Sequence, residues 1–203
     1  MFTTPSRKII NKLRAVVWLL IISPILYILK DNVQLWKKSR ISFPNLIAWD
    51  VIIWDYSYMS QNCQWNFRNW NKLRIWKFCS IASWVEFICG TDHDYKKLTT
   101  FPTVLLWIDH IKTETIEIWN DVWIWRNAII LKWRKIWTWA VIWAWSVVTK
   151  DIPPYAIAVW NPAKIIQYRF DEKTIEKLLK SKRWNRDIEK IKSNYNLEFI
   201  NNI

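Results

Sequence analysis

Two histidines, His93 and His110, are the side chains of this 203-residue chain best matched to proton transfer near neutral pH. A neutral imidazole can take the proton of a hydroxyl as its oxygen attacks an acyl carbonyl. Taken alone, a loop histidine more often makes one hydrogen bond than does catalysis, so its surroundings must decide. Three cysteines, Cys63, Cys79 and Cys89, have no C-x-x-C spacing and an odd count, which reads as free thiols in a reducing compartment. Cys79 falls where a small core residue is wanted. A histidine-bound zinc ion, as in a β-helical carbonic anhydrase, needs three histidines. Two are present, and no metal is expected.

The formal net charge is +13. That suits nucleic acid, an anionic membrane or a small phosphorylated ligand. The basic residues form no single run and match no nucleic-acid motif. Stacking tryptophans and lysines could instead serve a non-catalytic membrane or nucleic-acid binder. That reading needs the rings on one face.

What must position these groups is a repeat of six residues. Ile118, Ile124, Ile130, Ile136, Ile142 and Val148 form one register. Ile47, Ile53 and Met59, then Ile75, Ile81 and Phe87, form an earlier block of it. Four places after these come mostly small or β-branched residues: Val51, Ser57, Cys63, Cys79, Val85, Val122, Ala128, Arg134, Ala140, Ser146 and Ile152. Such a period is neither helical nor a simple alternating strand, and it marks a parallel β-helix. Each hexapeptide makes a short strand and a corner, and three make a triangular coil. The repeat breaks between Phe87 and about Thr115, where both histidines lie.

The chain holds 19 Trp and one Gly, where an average chain carries about 7 per cent Gly. The Trp residues fall at fixed phases. Trp54, Trp76, Trp119, Trp125, Trp137 and Trp143 follow the aliphatic residue directly, and Trp84, Trp133, Trp139 and Trp145 come three places after it. Corners need φ > 0 or close backbone approach, which Gly supplies. The expectation is that most of these positions are Gly in the cell, written as Trp through a UGA codon. Trp123, Trp36 and Trp184 are expected to be true tryptophans.

With Trp read as Gly, three segments resemble the xenobiotic acetyltransferases, a family of hexapeptide-repeat enzymes. Ile118-Trp-Asn-Asp-Val-Trp-Ile-Trp125 is similar to I-G-N-D-V-W-I-G. Val159-Trp-Asn-Pro-Ala-Lys164 is similar to V-G-N-P-A-K. Ile75-Trp-Lys-Phe-Cys-Ser-Ile-Ala82 is similar to I-G-K-F-C-S-I-A. The resemblance covers about residues 46–192. It implies a mainly β fold: a left-handed parallel β-helix with a protruding active-site loop. It implies direct transfer of acetyl from acetyl-CoA to an acceptor hydroxyl, of a sugar, a glycan or a xenobiotic such as chloramphenicol or a streptogramin, in a homotrimer with sites between subunits.

The resemblance also selects His93 as the general base. The segment Asp92-His-Asp-Tyr-Lys-Lys-Leu-Thr-Thr-Phe-Pro102 is similar to the family's catalytic loop, with Asp in place of Asn before the histidine and one extra residue before the proline. Trp125 and Trp143, as Gly, would let the pantetheine arm run along the backbone. Lys150, Lys164 and Arg169 would meet the CoA phosphates. Tyr56, Tyr58 and Trp123 would hold the acceptor. The family's K-W-W-N-W motif is matched by Lys182-Arg-Trp-Asn-Arg186, which keeps one Trp of three and loosens any inference about the acceptor.

Three segments are expected: 1–45, apolar, basic and helical; 46–170, the β-helix with its excursion at 88–115; and 171–203, a C-terminal helix capped by Asp171 and a tail. The apolar run Ala15–Leu29 contains Pro24 and is shorter than the roughly 20 residues a membrane span needs. It reads as a docked helix in a cytoplasmic protein, with peripheral contact to a membrane as the alternative.

Overall fold

The computed structural model describes residues 33–35, 38–41, 50–66, 71–89, 96, 98–99, 114–186 and 188. Its short strands stack into three parallel sheets, the faces of a triangular prism. The first face holds β1 (Val33–Leu35), β3 (Val51–Ile53), β6 (Lys72–Ile75), β9 (Thr115–Ile118) and β12 (Lys135–Ile136), hydrogen-bonded in that order. The second holds β2 (Arg40–Ile41), β4 (Tyr58–Met59), β7 (Ser80–Ile81), β10 (Trp123–Ile124), β13 (Val141–Ile142), β15 (Ala156–Val159) and the antiparallel β16 (Lys164–Tyr168). The third holds β5 (Gln64–Asn66), β8 (Glu86–Ile88), β11 (Ile129–Leu131) and β14 (Val147–Val148).

One coil is three hexapeptides. Ile124 pairs with Ile142, 18 residues on, and Ile130 with Val148. Across the break the step is longer: Ile81 pairs with Ile124, 43 residues on. The chain therefore leaves the prism after β8 and returns at Glu114 without losing register. Asn71 Oδ1 accepts the Glu114 N–H at 2.9 Å, and Lys132 pairs with the Glu114 carboxylate at 2.9 Å.

The six-residue register fills the prism. Ile75, Ile81, Ile118, Ile124, Ile130, Ile136 and Ile142 are fully buried, and so are Ser57, Cys63, Cys79, Ala128, Ala140 and Ser146 four places after register positions. Burying one aliphatic side chain stabilises by about 1.5–3 kcal/mol, so the register is the main source of cohesion. The prism starts earlier than residue 46. Leu35 pairs with Ile53 and Ile41 with Met59, both in register, so residues 33–35 and 38–41 belong to the first coil rather than to a helical segment. The apolar run 15–29 lies outside the described residues. No helix among the described residues is long and apolar enough to cross a membrane.

The corners are four-residue turns. Ala140 N–H donates to Trp137 O at 3.1 Å, and Ser146 N–H to Trp143 O at 3.4 Å. The residue three places after the register aliphatic has positive φ: Tyr56, Asn62, Phe78, Trp84, Asp121, Asn127, Trp133, Trp139, Trp145 and Tyr155, at 56–66°. Trp160 adds a φ of 85°. This is the type II arrangement, whose third position favours Gly. Of the two reasons for Gly at a corner, φ > 0 applies at this third place. Trp54, Trp76, Trp119, Trp125, Trp137 and Trp143 open their turns and are not left-handed; what they share is crowding along an edge.

After the prism, α1 (Glu172–Ser181) is capped by Asp171, whose carboxylate accepts from Thr174 N at 3.0 Å and Thr174 Oγ1 at 2.7 Å. Those bonds hold the Asp171 carboxyl below its usual range. A short turn of 3-10 helix, Arg183–Asn185, follows.

A left-handed L-residue costs about 1–2 kcal/mol. Trp133 and Trp145 are exposed and left-handed. Trp133→Gly and Trp145→Gly should each stabilise the chain by about 1 kcal/mol, read as a higher urea midpoint at unchanged slope.

Candidate active site

The second face and the edge that follows it gather most of the residues singled out in the sequence. Tyr58, Ser80 and Trp123 are register partners, so they form one row across the outside of that face. Tyr58 and Trp123 are both about half exposed. They make an aromatic surface three coils wide, with a serine between the rings. Tyr56 stands at the edge before this face. It stacks on Phe78 at 5.1 Å, with Lys38 Nζ 5.5 Å from its ring centre.

Trp125 and Trp143 lie on the edge after the same face. Their rings stack at 4.5 Å, and Trp123 tilts against Trp125 at 4.6 Å. The preceding coils place Ser60 and Ala82 at this phase, since Met59 pairs with Ile81 and Ile81 with Ile124. The column therefore runs Ser60, Ala82, Trp125, Trp143: two small side chains and then two indoles. Trp125 Nε1 is buried with no hydrogen-bond partner among the described residues. A second ladder, Trp54, Trp76, Trp119 and Trp137, stacks at 4.7–4.9 Å along the neighbouring edge.

The three candidate phosphate contacts stand on three different edges. Lys164 pairs with Val159 at the end of β15, on the edge that carries Trp125 and Trp143. Lys150 follows β14 on the edge after the third face. Arg169 is at the edge before the second face, where its N–H donates to Tyr155 O at 2.9 Å. Its guanidinium donates to Trp139 O at 3.2 Å and lies over the Tyr155 and Phe170 rings. His93 and His110 lie outside the described residues.

One cluster had no signal in the sequence. Trp139 Nε1 donates to Asp121 Oδ2 at 2.7 Å, beside Tyr155 and Trp184. Protein crowding the Asp121 carboxyl raises its pKa, and the Trp139 bond, Arg169 and Arg183 act against that rise. Only the 18-residue step from Asp121 to Trp139 could have pointed to it. Among the described residues no three His, Cys, Asp or Glu side chains form a group able to hold a metal ion.

No protein-family model matches the chain. A probable macrolide acetyltransferase of Lysinibacillus sphaericus is 41% identical over 135 residues, which span 61% of this chain and 75% of that protein. The chain belongs to the hexapeptide-repeat acetyltransferases. A chloramphenicol acetyltransferase of Klebsiella aerogenes is 37% identical over 134 residues, 61% of this chain and 64% of that one, so the match spans just under two thirds of this second relative. A hexapeptide-repeat acetyltransferase of Vibrio cholerae O1 biovar eltor, solved with acetyl-CoA, superposes with a TM-score of 0.60 at 21% identity, covering 75% and 80% of the two chains. The fold is accordingly the left-handed β-helix of these acetyltransferases, with the aromatic row and the small-residue column on its outside.

The buried thiols are not nucleophiles. Burial pushes Cys63 up to about 11 and Cys79 up to about 12. Both therefore stay protonated through pH 9, and thiolate forms only as the pH approaches those values. Iodoacetamide should leave them unmodified in the native protein at pH 8 and label them in urea, as read by mass spectrometry.

Proposed function

We propose that this chain moves an acetyl group from acetyl-CoA to a hydroxyl of a small acceptor, with His93 as general base, in a homotrimer whose sites lie between subunits. The observation that carries the reading is the 41% identity to a probable macrolide acetyltransferase. The relatives named for macrolide and chloramphenicol favour a xenobiotic acceptor over a glycan.

In the proposed reaction the acceptor hydroxyl gives its proton to the His93 imidazole as its oxygen attacks the thioester carbonyl. The tetrahedral intermediate collapses by breaking the C–S bond. The CoA sulfur leaves as thiolate and takes the proton from the imidazolium. CoA thiolate is a good leaving group, so no acyl-enzyme is needed. Tyr56, Tyr58 and Trp123 receive the acceptor on the aromatic row. The pantetheine arm follows the column through positions 125 and 143, and Lys164 meets a phosphate on that edge. Lys150 and Arg169 stand on the other two edges, so on one ligand they act only if a neighbouring copy brings its edge alongside. The all-exposed strand β16, with Ile165, Ile166 and Tyr168, offers apolar surface for such a neighbour. A CoA-dependent enzyme finds its donor in the cytoplasm, with peripheral membrane contact left to the N-terminal segment.

His93→Ala should abolish CoA release from acetyl-CoA plus chloramphenicol or a macrolide, while light scattering still reports a trimer. A fully active variant would sink the assignment of the base.

The reading includes the glycine identity of most corner tryptophans. Its support is the left-handed φ of Trp84, Trp133, Trp139, Trp145 and Trp160, and the Ser60–Ala82 half of the column that Trp125 and Trp143 complete. Sequencing the coding DNA should give UGA at Trp54, Trp76, Trp119, Trp125, Trp137 and Trp143, and at the left-handed Trp84, Trp133, Trp139 and Trp145, with UGG at Trp123 and Trp184. UGG throughout refutes it.

A further inference from the structure

The two ends of the prism are closed unequally. At the C-terminal end the chain seals its own core: Ile152 and Ala158 are 3% and 0% exposed. There β16 runs back along β15. Val147 N–H donates to Trp160 O at 3.1 Å, and its carbonyl accepts from Ala163 N–H at 2.8 Å. At the other end, β1 and β2 are the last strands of the first and second sheets, with no further strand beyond them among the described residues. Leu35 pairs in parallel register with the inward-facing Ile53, so its side chain belongs to the prism interior. Yet Leu35 is 48% exposed, whereas Ile53 is 1% exposed. Ile41, the partner of Met59, is likewise only partly buried. The base of the prism thus presents inward aliphatic side chains and two strand edges with nothing described over them.

We propose that the chain's own segment 15–29 docks on this base and covers Leu35 and Ile41. The segment lies outside the described residues, but its tether is short. Only Lys30, Asp31 and Asn32 separate it from Val33 of β1, a link of about 10 Å at full stretch. The segment holds no charged side chain, so its apolar surface needs a partner of the same kind. The terminal coil of a repeat fold has no neighbour to bury its inner face and requires a cap. Open strand edges are commonly covered by a helix or loop. A second copy of the chain or a membrane would have to compete with a segment already held beside the base, at an effective concentration on the order of millimolar. The basic residues ahead of the segment, Arg7, Lys8, Lys12 and Arg14, are then the part left for an anionic membrane. No corner tryptophan takes part, so the cover is the same with glycine at those positions.

The test uses the full chain with Leu35→Cys, labelled with iodoacetamide at pH 8 and read peptide by peptide in the mass spectrometer. The thiol at position 35 should label at least about tenfold more slowly than in the same chain carrying Leu20→Asp and Ile22→Asp, whose charges resist burial on the base. This protection should persist on dilution. Should the doubly charged variant not fold, Ile22→Ser alone should raise the labelling rate by a smaller factor. Equal rates with and without these substitutions overturn the proposal. Protection that fades on dilution also overturns it and assigns the base to a second copy. Fast labelling that slows only when phosphatidylglycerol vesicles are added overturns it as well and assigns the base to a membrane.

Discussion

The structure depends on one backbone requirement. The chain must change direction every six residues and still bring each strand back 4.7–4.9 Å above its predecessor. A four-residue turn with a left-handed third residue does this, at ten corners between Tyr56 and Tyr155. Because the corners share one shape, the register aliphatics from Ile53 to Val148 point inward and are buried, and so are the described residues four places later other than Arg134. The outer faces then receive every second strand residue, which is why Tyr58, Ser80 and Trp123 line up. The excursion obeys the same rule. It can be long because Glu114 re-enters in register, held by Asn71 and Lys132.

The register was legible because burial acts on single positions. A polar residue at Ile118, Ile124 or Ile136 would sit in a sealed interior, so the six-residue pattern is under constant physical pressure. The start of the prism was missed for a local reason. Leu35 and Ile41 are in register, but their strands have three and two residues, and the apolar run before them drew the reading toward a helix. The corners were half legible. Trp at the first and at the third place looks alike as sequence, yet only the third is left-handed. Lys150, Lys164 and Arg169 were grouped by the family resemblance, whereas 18 residues make one full circuit and a few residues move a side chain to another edge.

The candidate site shows the same division. Trp123, Trp125, Trp143 and Tyr58 came together because register partners share a row and phase partners share an edge. The Asp121, Trp139, Tyr155 and Trp184 cluster could not be read, since it joins three coils to the segment after the prism. Nothing periodic links Trp184 to Trp139; the chain direction after β16 decides it.

Magnitudes bear on the two identities proposed for the corner residues. Indoles stack well along an edge because strand spacing and ring spacing nearly coincide, at 4.5–4.9 Å in these ladders. Each stacked pair returns about 0.5–1.5 kcal/mol beyond the area it buries. Against that, each left-handed tryptophan costs about 1–2 kcal/mol, and each buried N–H without a partner, as at Trp119 and Trp125, costs about 1–3 kcal/mol. Among the described residues the left-handed Trp84, Trp133 and Trp145 gain no ring ladder in exchange, and they are exposed. Tyr56, Phe78 and Tyr155 show that a bulky ring can adopt this conformation, but each packs on a neighbouring ring, which Trp133 and Trp145 do not. Glycine removes the conformational cost at the third place and the orphaned N–H at the first, and it leaves the buried register, the source of cohesion, untouched.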